Sequence, residues 1–272
     1  MLARIISGLV MATSIVLILL YLPPWGLAVA LFLVTLAACG EYLNITHKAE
    51  PASTGGRVMF TVATLLVVMW PLVYEYLWRG YSHGVAMTLG LILMSFHRLS
   101  NPAPIETSIQ RLALRMFGVI YLGTLFPYVY MVRRLPHGEW ALILVMAIAF
   151  GSDTGAYFAG RFLGKHKLYP LISPKKTIEG VVGGVFAGIL LAWVGSQIFP
   201  GHSYLTIVDC IILGTAGALL GVVGDLVESM MKRAYDVKDS GNWIPGHGGA
   251  LDRLDGFIFI LPFAYVYLGA LR

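Results

Sequence analysis

The sequence is poor in charge. Of its 272 residues only 12% are Asp, Glu, Lys or Arg, while 58% are apolar; a water-soluble domain carries about 25% charged residues. That shortage excludes a soluble globule, and the apolar excess excludes intrinsic disorder, which needs the opposite balance. Cysteine is nearly absent. Cys39 and Cys210 each lie inside an apolar run with no CxxC spacing or histidine pair nearby, so neither a disulfide framework nor a zinc site is indicated. The ten-residue polar/apolar alternation of a membrane barrel is also missing, as are internal repeats and low-complexity tracts.

What the chain has instead is a series of continuous apolar runs about twenty residues long, the length that crosses hydrocarbon as a helix. A window of roughly 19 residues gives nine spans, near 5–22, 25–43, 57–77, 84–96, 112–132, 139–160, 178–199, 205–230 and 254–271. The fold class expected is all-α, a polytopic integral membrane bundle of about nine transmembrane helices. The fourth run is the shortest and reads either as a span extended by 78–81 or as a re-entrant segment. With nine spans, 15 of the 19 basic residues fall on the N-terminal side of the membrane. The inside-positive rule then places the N-terminus and the polar loops near 161–177 and 231–253 in the cytoplasm, with the C-terminus opposite. In a membrane chain the net charge of +5 records orientation and lipid contacts rather than nucleic-acid binding. The first span starts like a signal peptide, but no small-residue cleavage site precedes Pro23-Pro24-Trp25, so it reads as a retained helix. Leu36-Ala37-Ala38-Cys39 resembles a lipoprotein box behind two apolar runs rather than one; small residues packing in a helix interface is the preferred reading.

Nine of the 14 acidic residues follow residue 150. This shift divides the chain into a scaffold, 1–135, and a region expected to carry chemistry, 136–272, within one membrane domain. Asp153 lies inside the sixth span. A carboxylate there must face a cavity, a cation or a hydrogen-bonding partner; it is either held by Ser152, Thr154 or a helix break at Gly151 and Gly155, or forms the wall of a site. At the end of the eighth span Asp225, Glu228, Ser229 and Lys232 recur at helical spacing on one face. A solvated Glu-to-Lys pair accounts for Glu228 and Lys232 but leaves Asp225, one turn deeper, unexplained. Asp209 reads as interfacial. Between 238 and 256, Gly246, Gly248 and Gly249 permit close approach of main-chain N–H groups to an anion, and Asp252 and Asp255 follow three apart. Glycine turn, carboxylates and Arg253 together form a phosphate and divalent-metal vocabulary. His247 alone reads more readily as a structural hydrogen-bonder than as a base. Pro174 ends the other loop, so Lys175, Lys176 and Thr177 stand at a helix start, a ready anion site.

These residues resemble those of the phosphatidate cytidylyltransferase (CDP-diacylglycerol synthase) family. The resemblance rests on Ser229-x-x-Lys232-Arg233-x-x-x-x-Lys238-Asp239-x-Gly241-x-x-Ile244-Pro245-x-His247-Gly248-Gly249-x-x-Asp252-Arg253-x-Asp255. Ser152–Tyr157 and the stretch from Gly164-Lys165-His166-Lys167 to Ser173-Pro174-Lys175-Lys176-Thr177 are also similar to family sequence. The detailed likeness covers about 150–256. Ala250 stands where the family usually has a larger aliphatic and Gly256 where serine is frequent; neither change removes a charge.

The resemblance implies a nucleotidyltransferase that converts CTP and phosphatidic acid to CDP-diacylglycerol and pyrophosphate, with Mg²⁺, alone or in a metal pair, on Asp225 and Asp252; the inside-positive asymmetry and the two cysteines fit a bacterial inner membrane, with an organelle membrane as the alternative. Lys232, Arg233, Asp255 and His247 join the two aspartates as implied catalytic residues. Lys167, Ser173, Lys175, Lys176, Thr177, Lys238, Asp239, Gly248, Gly249, Arg253 and Asp153 are implied to bind substrate. A second copy of the chain is a candidate partner. The rival readings are another CTP-using lipid enzyme, such as a polyprenol or phytol kinase, and a cation-coupled transporter, whose inverted repeats are not visible.

Overall fold

The computed structural model describes residues 13–51, 53–76, 83–201, 205–241 and 248–270. Helix α1 covers 13–21. Pro24, at the first position of α2 (Pro24–Ile45), is pre-set for helix and forgoes only an N–H that would have lacked a partner. Ser53 caps α3 (Thr54–Val68) by accepting from Gly56 N at 3.1 Å. The third predicted span breaks at Met69 and resumes as α4 (Trp70–Tyr76), with Pro71 in its first turn. The fourth run is part of an unbroken α5 (His83–Ser100) of 18 residues, roughly 27 Å long at helical rise. Pro127 divides α6 (Ser108–Leu125) from α7 (Pro127–Arg133), yet the apolar stretch Ile105–Arg133 continues through both.

The later helices are longer. They are α8 (Gly138–Leu163), α9 (Ile178–Ile198), α10 (Ile207–Ala234) and α11 (Leu251–Ala270). Thr206 and Asp209 form a reciprocal capping box at the start of α10, and Asp209 also accepts from Tyr267 Oη at 2.8 Å, so this aspartate is a helix cap. Among the described residues six helical stretches are long and apolar enough to cross a membrane, matching the second, fifth, sixth, seventh, eighth and ninth spans of the sequence reading; α3 is a shorter apolar helix.

The polar loop at 161–177 is not all irregular. Strands β1 (Lys167–Tyr169) and β2 (Ser173–Thr177) pair antiparallel, with Lys167 opposite Thr177. Windows tuned to helical spans pass over strands this short. Among the described residues the regular structure is therefore helical except for this hairpin between α8 and α9.

The two halves pack differently. Around α2, large side chains meet: Tyr42 stacks on Phe60 at 5.4 Å, and both are fully buried. Cys39 and Ala38 are buried in the same wall. From α8 to α11 the backbones themselves touch. A Cβ at Gly188 would lie 2.7 Å from the Gly214 carbonyl oxygen, and one at Gly155 would lie 2.5 Å from Ala187 Cβ. Small residues permit this approach in a bilayer, where association depends on packing and hydrogen bonds because lipid is as apolar as leucine. At Gly224 a side chain would overlap the Asp255 carbonyl. Helices α10 and α11 thus cross where their aspartates lie.

Candidate active site

The end of the bundle that carries the hairpin collects the C-termini of α8 and α10 and the N-termini of α9 and α11. Thr177 is buried and caps α9 by accepting from Gly180 N at 3.1 Å. This confirms a helix start after the lysines but puts Lys175 and Lys176 on β2. From there Lys176 Nζ reaches Asp225 Oδ2 at 2.6 Å. Asp225 Oδ1 accepts from Ser229 Oγ at 3.1 Å, one turn along α10.

A second ion pair lies beside the first. Lys232 Nζ donates to Asp252 Oδ1 at 2.6 Å and lies 3.2 Å from Glu228 Oε1. Asp252 Oδ2 lies within hydrogen-bond range of Ser240 N (3.0 Å), Ser240 Oγ (2.9 Å) and Gly249 N (2.8 Å). Asp225 and Asp252 therefore belong to the same end of the bundle, each held by its own lysine. Asp153 is in electrostatic reach of Asp225, Asp255 and Lys176, and Asp255 of Glu228 and Lys232. Asp255 Oδ1 accepts from Gly256 N at 2.8 Å.

Two local expectations change. Glu228 is fully buried rather than part of a solvated helix end, with Oε1 in ion-pair range of Lys232 Nζ at 3.2 Å. The helix is sealed there by α11 and by α6, whose Tyr121 hydroxyl is also buried and unpartnered among the described residues. Asp153 is not held by its neighbours, because Ser152 and Thr154 spend their hydroxyls on the carbonyls of Ala149 and Phe150, both at 2.8 Å. Nor does α8 break at Gly151 or Gly155.

The other predicted residues surround this cluster. Lys167 and Lys175 are exposed on the hairpin and Ser173 is half-buried. Arg233, Lys238, Asp239 and Arg253 are exposed near the ends of α10 and α11. Gly248 has a left-handed φ of +84°, a conformation that glycine tolerates without cost. Gly246 and His247 lie outside the described residues.

The sequence reading missed Glu41. This residue of α2 is 2% exposed, and its carboxylate accepts from Ser240 Oγ (3.0 Å), Ala250 N (2.8 Å) and Leu251 N (2.9 Å). Of the glycines expected to let main-chain N–H groups approach an outside anion, Gly249 instead donates to Asp252, and the next two amides, Ala250 and Leu251, donate to Glu41. A lone acid near the end of an apolar run was the available signal. The reading of the first half as scaffold passed over it.

The residues fit a divalent cation by chemistry. Among the described residues, Asp153, Asp225, Glu228, Asp252 and Asp255 interact electrostatically with one another and with Lys176 and Lys232, and buried carboxylates require compensation. Hard oxygen donors suit Mg²⁺, which takes one or two carboxylates and completes its shell from substrate phosphates and water. Among the described residues no three His, Cys, Asp or Glu side chains are gathered to hold a metal by themselves.

Comparison with known proteins decides the family. The profile described as "Cytidylyltransferase family" matches residues 2–271. The chain belongs to this family. Among relatives named phosphatidate cytidylyltransferase, one from Staphylococcus epidermidis is 37% identical over 265 residues, covering 94% of this chain and 96% of its own length. One from Staphylococcus haemolyticus is 34% identical over 261 residues with the same coverage, and one from Bacillus subtilis is 43% identical over 155 residues, 56% of each chain. As a family member the protein is a membrane-embedded nucleotidyltransferase, and the transporter reading is set aside.

Proposed function

We propose that the protein transfers the cytidylyl group of CTP to phosphatidic acid, forming CDP-diacylglycerol and pyrophosphate, at the cytoplasmic face of a bacterial cell membrane. The observation that carries this reading is the meeting of Lys176–Asp225 with Lys232–Asp252 at one end of the bundle. A phosphate oxygen of phosphatidate would attack the α-phosphorus of CTP, the α–β anhydride bond would break, and pyrophosphate would depart with the electron pair. Phosphatidate is already anionic at neutral pH, so the residues have no strong base to supply. Their work is to bring two repelling anions together and offset charge on the transferring group.

Lys176 and Lys232, each paired with a carboxylate, are suited to holding phosphates at fixed positions. Lys175, Arg233, Lys238 and Arg253 add positive potential around them. Asp225 and Asp252 would hold Mg²⁺, which when bound supplies Lewis-acid neutralisation of the nucleotide phosphates. Asp153 and Asp255 complete the acidic wall. The orientation rests on the 15 of 19 basic residues on one side, which puts the site where a water-soluble nucleotide meets a lipid headgroup. A homodimer would have exposed apolar surface to use on α9, where Val182, Phe186 and Leu190 are all at least half exposed.

The test is incubation of purified protein with phosphatidic acid, Mg²⁺ and each of the four nucleoside triphosphates. The expected result is a liponucleotide with CTP and an equal amount of pyrophosphate. Release of CDP with a newly phosphorylated lipid would assign a kinase instead.

A further inference from the structure

We infer that Glu41 is a positioning residue for Asp252, acting as an internal anion that occupies the nest formed by the glycine-rich segment. The inference rests on the nucleotidyl-transfer reading above. A carboxylate buried to 2% exposure is costly unless hydrogen-bonded, and among the described residues its three hydrogen-bond partners are neutral donors. Two of them, Ala250 N and Leu251 N, stand at the start of α11, where unpaired N–H groups and the helix dipole favour negative charge. Glu41 thus completes a helix start from 209 positions away in sequence.

The glycines of the segment follow from the same contact. A Cβ at Gly249 would lie 2.6 Å from Glu41 Cδ, and one at Gly241 would lie 2.8 Å from Glu41 Oε1. Both sides of the segment close over this carboxylate with no room for a side chain. Asp252 takes the next amide back, Gly249 N, and the backbone of Ser240. Ser240 Oγ lies within 3.0 Å of Glu41 Oε2 and 2.9 Å of Asp252 Oδ2; with a single proton it donates to one carboxylate at a time, which links the two. Asp252 Oδ2 is therefore held by the frame that Glu41 fastens, and only Oδ1, on Lys232, is directed to the rest of the site. Releasing Glu41 should loosen residues 249–251 and with them the direction of Oδ1.

The full-length protein is compared with Glu41→Gln and Ser240→Ala by two measurements. Hydrogen exchange without substrate should show at least tenfold faster exchange at 249–251 in Glu41→Gln. In the pyrophosphate-release assay Glu41→Gln should lose at least tenfold in kcat and need severalfold more Mg²⁺ for half-maximal rate. Ser240→Ala should change both in the same direction by less. A Glu41→Gln protein with wild-type Mg²⁺ demand and kcat overturns the inference, even if its melting temperature falls, because that is the signature of a purely structural contact. Unchanged exchange at 249–251 overturns it too. If the wild type releases no pyrophosphate from CTP and phosphatidate, the reaction assignment fails; the exchange result then stands alone, and slow exchange in Glu41→Gln sinks the anchor.

Discussion

Asp225 on α10 has, among the described residues, one ammonium and one hydroxyl for partners and keeps 36% of its side chain exposed. Asp252 on α11 is 10% exposed and is gripped by Lys232, two backbone amides and a serine hydroxyl, with Glu41 fastening the frame behind it. The two aspartates carry the same group at the same end of the bundle, but the first can change partners at little cost while the second is part of the architecture. In the proposed reaction, admitting a charged nucleotide and releasing pyrophosphate would gain from one fixed carboxylate and one that adapts.

Asparagine substitutions break this comparison most directly. Each removes charge and keeps size, and each should lower turnover at least a hundredfold, on the order of 3 kcal/mol of transition-state stabilisation, measured with saturating Mg²⁺. They should separate in stability. Asp252→Asn leaves Lys232 with Glu228 as its remaining carboxylate, at 3.2 Å, and takes a charged acceptor from Ser240 N and Gly249 N, so it should cost about 3 kcal/mol in unfolding measurements, the lower end of what breaking buried pairs costs. Asp225→Asn should cost about 1 kcal/mol or less, because its pair is partly exposed. Equal losses of stability would erase the distinction between the two flanks.

A smaller effect sharpens the contrast between the two halves. Gly188→Ala places a methyl against the Gly214 carbonyl and should destabilise by about 1–3 kcal/mol, the usual cost of overpacking. Gly40→Ala, in α2 with nothing within 4 Å of a Cβ, should be neutral or gain up to about 1 kcal/mol of helix propensity. Thermal unfolding of the two variants in the same detergent checks this. The smallest effect is expected at Lys48–Asp236, a 3.2 Å pair with side chains 60% and 98% exposed; Lys48→Ala should shift stability by no more than about 0.5 kcal/mol.

Much of the architecture was legible because span length is a composition property. Apolar runs marked the six long helices, and the helical spacing of Asp225, Ser229 and Lys232 marked the face of α10 that carries the two ion pairs. Placement of Lys176 beside a helix start followed from Pro174 and Thr177. The hairpin escaped because two strands of three and five residues are shorter than any periodicity window. The burial of Glu228 escaped because the pattern Glu-x-x-x-Lys is the same on a wet surface and in a sealed interior. The shared hydroxyl of Ser240 and the bonds of Glu41 to the start of α11 escaped because no local pattern joins residues so far apart.

The sequence by itself determined the solvent of this protein, the lengths of its main helices and the residue types at its reacting end, since hydrophobicity and charge are written residue by residue. Tertiary structure alone decided which lysine neutralises which aspartate, and that the amides of 249–251 answer to the protein's own carboxylates. Such pairings depend on where backbones cross. In this molecule the crossings follow from glycines that let α8 to α11 touch and from one glutamate of α2 that reaches the start of α11.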